Sequence, residues 1–254
     1  MTGLLAVLTV LPGYPADADA RFRAGVERRA DAAAARREFS AAAALYDAAW
    51  KAGDRTPELA GNRSRAHFLA GDLPAAVLAF RQAVAAYPWD HDLRDGLARC
   101  RAAVAYPDPA APDERTRPDP PAGLRTRLGP ADLLGLSALA AAVPAVGLAA
   151  RFTARPGWAT PTAAAGAAGL LAVAVAGWLI DRESAADAGP LAVVTSDGVV
   201  LRRGNADSYP PRASAPLPRG AEVRPLHVRG GWVQVELPGG AVGWVPARSL
   251  TGGG

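Results

Sequence analysis

"GDLPAAVLAFRQAVAAYPWD" (residues 71–90) opens on a turn, runs into a helical pattern and closes at a proline. Asp72 stands where an N-cap belongs, Pro74 falls in the first turn, and Pro88 follows the helix end. Leu73, Ala76, Phe80 and Ala83 recur at i, i+3, i+7 and i+10, which is one helical face. Ala75, Ala76 and Ala83 sit where a self-sufficient helix carries larger residues, so this helix is expected to be approached closely by its neighbours.

Compared with itself, the chain repeats this pattern. Phe39, Ala42, Tyr46 and Ala49 precede Leu73, Ala76, Phe80 and Ala83 by 34 residues each. "PELAGNRSRAHFLA" (57–70) supplies the preceding helix, so the unit is helix–turn–helix. A 34-residue helix pair with small, aromatic and small positions and a terminal proline resembles the tetratricopeptide repeat (TPR). The Ala76–Phe80–Ala83–Pro88 copy matches well; the Ala42–Tyr46–Ala49 copy is looser, with Asp54 in place of the proline. Arg63 and Ser64 replace the usual Leu-Gly of the first helix. A closing helix over 91–104 is expected to cover the last pair. Repeat arrays bury a continuous core with three or more units, so this one must lean on another part of the chain or hold a partner.

The formal charge of +4 comes almost wholly from arginine, with Lys51 the single lysine. Arginines alternate with Asp and Glu, and "RRADAAAARREF" lacks interleaved aromatics, so nucleic acid is not an expected partner. The one cysteine, Cys100, excludes an intramolecular disulfide and a cysteine-based zinc site, and its amphipathic setting reads as a half-buried thiol.

Domain order follows from composition. Residues 1–20 resemble a signal peptide, with an apolar run and A-x-A-like sites at Ala16, Ala18 and Ala20 but no preceding Lys or Arg. Residues 21–106 read as the TPR-like helical domain and 107–130 as a Pro-rich, semi-rigid linker. Two uncharged runs, 133–150 and 156–180, predict a two-helix transmembrane hairpin over 131–181, with Trp158 and Trp178 near the ends of the second. A pair of buried core helices is the competing reading.

From residue 190 the period changes to 2, and "GVVLRRG", "AEVRPLHV", "GGWVQVEL" and "AVGWVPARSL" predict short strands over 190–254. So few residues must curl into a small barrel to bury anything. Leu201, Arg202, Gly204, Tyr209, Leu217, Gly220, Trp232 and the "GWVP" ending at Pro246 resemble a bacterial SH3 domain. The expected fold class is therefore multidomain: all-α TPR-like hairpins, two transmembrane helices and a small all-β SH3-like barrel.

No catalytic constellation emerges. His67, His91 and His227 fall in three separate elements, there is no HExxH, GxSxG, Walker or dinucleotide motif, and "WDHD" (89–92) reads as capping. The chain is not expected to be an enzyme, and no cofactor or metal is expected. The candidate partner-binding residues are Arg63, Arg65 and His67 on the helix that lines the concave surface in TPR modules, and Tyr209, Trp232 and Trp244 in the SH3-like segment. A solvated face explains the first three equally well, and packing is the leading account of the two tryptophans.

The order of segments resembles the TPR members of the Bat aerotolerance family (BatE-like). That resemblance implies a non-enzymatic membrane-anchored scaffold for other Bat-like envelope proteins. An envelope sensor whose SH3 domain binds peptidoglycan peptides is the alternative. Arg115, Arg117, Arg125 and Arg127 before the first span point to a cytoplasmic location of the soluble modules. The signal-like start and the usual envelope setting of bacterial SH3 domains point outward. The expected location is the bacterial cytoplasmic (inner) membrane, modules on the outer face.

Overall fold

The computed structural model describes residues 16–119, 129–154, 159–187 and 191–252. Five helices come first: α1 (Ala16–Glu27), α2 (Ala32–Lys51), α3 (Pro57–Ala70), α4 (Leu73–Ala86) and α5 (His91–Ala102). Their starts are written in side chains that accept otherwise unpaired backbone N–H groups: Asp31 caps α2, Thr56 caps α3, Asp72 caps α4 and Asp90 caps α5. Gly71 ends α3 in the left-handed conformation at φ 83°, which lets α4 fold straight back. Residues 1–15 of the signal-like segment lie outside the described residues. Ala16 begins α1, and Ala18 is fully buried against Ala42, Tyr46 and Leu59.

The alanines of α4 have an identifiable cause. Ala76 and Ala83 share a core with Ala60 of α3, Leu93 and Leu97 of α5, and Val193 from the far end of the chain. Phe80 lies so close to Gly96 that a Cβ there would stand 2.2 Å from its ring. A third layer covers α4: the described residues through Pro118 and those from Leu191 onward form one compact unit, so the helical array leans on the β region.

That region holds β1 (Ala192–Val194), β2 (Glu222–Arg229), β3 (Trp232–Glu236), β4 (Val242–Pro246) and β5 (Leu250–Gly252), antiparallel in the order β4-β3-β2-β1-β5. Val233, Val235, Leu237 and Val245 face a core with Leu201, Leu217 and Val223. Strand period and inward face agree with the alternation of the sequence. The barrel does not: the sheet is open, because β5 pairs only with β1 and β4 only with β3 among the strands. Closure is unnecessary where helices cover the β1–β5 end.

The junction between helices and sheet is polar at its centre. Glu222 is buried and takes both arms of Arg101, at 2.6 and 2.9 Å, with Arg81 Nε at 3.3 Å. Burial lowers the Arg81 pKa, opposed by the Glu222 charge. Around this cluster, Gly220 packs on Val104 and Leu73, Gly252 on Leu78, and Arg219 reaches Gly71 O at 3.3 Å and Asp72 at 3.6 Å. The linker joins in. Gly239 and Ala241 donate their N–H groups to the carbonyls of Arg115 and Asp113, both at 2.9 Å, so its first part is docked and not merely extended. Residues 120–128 of the linker lie outside the described residues.

The second unit holds α6 (Pro130–Ala154) and α7 (Ala159–Asp187). They meet through small residues: Gly166 faces Pro144 and Gly169 faces Ala140. Among the described residues, no helix is long and apolar enough to cross a membrane. This corrects the expected transmembrane hairpin, and with it the expected inner-membrane location. The runs looked long enough because Ala and Gly were counted as apolar, and these supply half or more of each. A methyl group carries only a fraction of the transfer free energy of a Leu or Val side chain.

Candidate functional site

The register of the sheet places two of the three SH3-segment candidates on one outward face. Cross-strand partners share a face, so the pairs Trp232↔Pro246 and Gln234↔Trp244 put both tryptophans opposite the core-facing Val233 and Val235. His227 of β2 pairs with Gln234 and completes the row, with its ring edge-on to Trp244 at 6.2 Å. Arg202 extends the row beyond β4 through paired backbone bonds with Trp244, 2.8 and 2.9 Å.

Tyr209 reaches this face from the loop before β2. Its ring lies on Gly204, where a Cβ would stand 2.6 Å away, and its carbonyl accepts from Arg202 Nη1 at 2.9 Å. The requirement for glycine at 204 is therefore a close approach. Tyr209 stays 47% exposed. Trp232 and Trp244 are half-buried on the outer side and contribute nothing to the core on the inner side. The result is a row of His227, Gln234, Trp244, Arg202 and Tyr209, with Trp232 diagonal to Trp244.

On the helical side the three candidates part company. Arg63 is buried between α2 and α4, its Nε at 2.5 Å from Asp47 and its Nη1 at 2.7 Å from Gln82. His67 Nε2 meets the other oxygen of Asp47 at 3.1 Å. Burial alone would raise the Asp47 carboxyl; the hydrogen bonds from His67 and Arg63 reverse that and hold it at about 2. Arg63 and His67 are thus engaged in tying α3 to α2. Arg65 lies apart from them, with its nearest carboxylate, Asp92 of α5, at 3.8 Å.

Nothing nucleophilic accompanies either group. Burial pushes the Cys100 thiol up to about 12, and among the described residues no group of three His, Cys, Asp or Glu could hold a metal ion. The cleft of about 400 Å³ between α6 and α7 is lined by Leu, Ala, Val and Gly alone and offers no side-chain polar group to orient a ligand. Reading the sequence missed His227 and Gln234; the strand alternation that aligned Gln234 with Trp232 was the available signal. Compared with known protein families, curated proteins and solved structures, the chain matches none.

Proposed function

We propose that the chain is a non-enzymatic adaptor that holds a protein partner on the outward row Tyr209–Arg202–Trp244–His227. One observation carries this reading: three large aromatic side chains, Tyr209, Trp232 and Trp244, stand on the solvent side of a sheet whose own core is complete without them. Aromatic rings offer contact area at little entropic cost, and beside them Arg202, whose Nη2 also stands 3.5 Å from Asp207, and the exposed His227 add polar groups for a peptide. The helical array is a rigid platform for that sheet. The resemblance of Ala76, Phe80, Ala83 and Pro88 to the tetratricopeptide repeat supports a partner-holding role.

The test is photo-crosslinking from position 234, replaced by a benzophenone amino acid, in cells expressing the full chain. The expected result is a discrete protein adduct that the pair Tyr209→Ala and Trp244→Ala abolishes. No adduct, or one indifferent to that pair, contradicts the reading. Peptidoglycan peptides are the second ligand class, in keeping with the resemblance of this segment to a bacterial SH3 domain. Retention of the full chain by purified cell wall, lost on Trp244→Ala, would select them.

A further inference from the structure

We infer that the outer edge of β2, from Leu226 to Arg229, accepts an acidic extended peptide as an added strand. β1 is three residues long and pairs with β2 only at Glu222 and Val223. From Arg224 onward β2 pairs with β3 alone, and among the described residues no strand lies along its other side. Gly230 and Gly231, at φ 56° and 78°, make the two-residue turn that closes Arg229 on Trp232. In such a hairpin the flanking residues exchange both hydrogen bonds, so alternation points the N–H and C=O of Val228 away from β3.

The side chains there are uncovered as well: Val228 is 67% and Leu226 45% exposed. Pro225 and the register shift between Pro225 and His227 blunt the inner half of this edge, a usual protection against unwanted pairing. The outer half carries no such device. It offers one fully free backbone donor–acceptor pair and apolar groups for the alternate side chains of an incoming strand.

Charge decides the occupant. Arg224 is paired with Glu236, whereas Arg229 has no carboxylate partner among the described residues. A second copy of β2 paired so that Arg229 faces the copy's Arg224 would oppose like charges across the strands, which is destabilising. A β-branched peptide with a carboxylate near Arg229 meets no such repulsion. His227 belongs to both, but the row is made of side chains on the outward face and the edge of the Val228 backbone, so either can fail without the other.

The experiment titrates the full chain against a fluorescent peptide, Glu-Val-Thr-Val-Thr-Val-Glu-Thr, and against its Lys-for-Glu counterpart, by anisotropy. Saturable binding of the acidic peptide, at least tenfold tighter than the basic one, is expected. Val228→Pro removes a donor that β3 does not use, so the sheet keeps its pairing while affinity falls at least tenfold. N-methylating alternate amides of the peptide should give the same loss with the protein unaltered. Arg229→Glu should reverse the preference, and Trp244→Ala should change affinity less than twofold. No saturation, equal binding of the basic peptide, indifference to both backbone blocks, or a loss seen only with Trp244→Ala would each overturn the inference.

Discussion

Two alanine-rich helix pairs in this molecule reach opposite ends. In α3–α4, Ala60, Ala76 and Ala83 bring helices together, and the faces left over are covered by α5 and by Val193. In α6–α7, Gly166, Gly169 and Ala140 also lie at the helix contact, but Leu134 and Leu171 remain 72% and 66% exposed. Small residues permit contact between two helices. Two helices alone expose most of what they do not press together, so a core needs a further layer of elements packed on them. In the first unit that layer is the far end of the chain, fastened by Glu222.

The sharpest way to break this comparison is to remove the fastener. Glu222→Gln leaves the half-buried Arg81 and Arg101 without their buried counter-charge and is expected to cost about 3–5 kcal/mol, read as a lowered denaturation midpoint. A loss under about 1 kcal/mol would mean that the layer holds without its ionic centre.

Gly239→Ala comes next, because a Cβ there meets Pro112 O at 2.5 Å and Asp113 O at 2.6 Å, both backbone. About 1–3 kcal/mol is expected, with hydrogen-exchange protection lost at Gly239 and Ala241.

Asp47→Asn probes the helical array away from the sheet. A carboxyl held at about 2 contributes stability above its ordinary range near 3.8, and loses it as pH falls through about 2. The expected cost at neutral pH is about 2 kcal/mol, and the gap between the parent chain and the variant should close between about pH 4 and pH 2. A gap that stays constant with pH would assign Asp47 a packing role instead.

The smallest effect belongs to the second unit. Leu171→Ser changes an exposed side chain and should shift stability by less than about 0.5 kcal/mol. A larger loss would show that α6 and α7 have a cover.

The contrast also explains what could be read in advance. The helices were legible because Asp72, Pro74 and Pro88 punctuate α4 and its 34-residue echo repeats the apolar face. Strand alternation likewise sets Val233 and Val235 on one face, and that face is the core. Arg63 and Ser64 stood out as departures from the repeat, and the structure supplies their cause. Arg63 bridges Asp47 and Gln82, while the Ser64 hydroxyl donates to Ala60 O at 2.7 Å within its own helix.

The docking of helices on sheet was not legible. Glu222 lies 121 residues from Arg101, and no local period reports such a pairing. Gly220 was visible only as one of the residues that resemble an SH3 domain, although its neighbours are Val104 and Leu73. The barrel was inferred from the need of a short β segment to bury its faces, which the helices partly meet. The membrane hairpin was inferred from the length of its apolar runs, which Ala and Gly inflate.

The central claim, that helices and sheet form one cooperative unit, is tested most directly by native-state hydrogen exchange on the full chain and on Glu222→Gln. Amides of α4, α5, β1 and β2 should open with a common free energy in the parent chain, and all should fall together in the variant. If α4 and α5 lose protection while β1 and β2 keep theirs, the two regions fold separately and the claim is wrong.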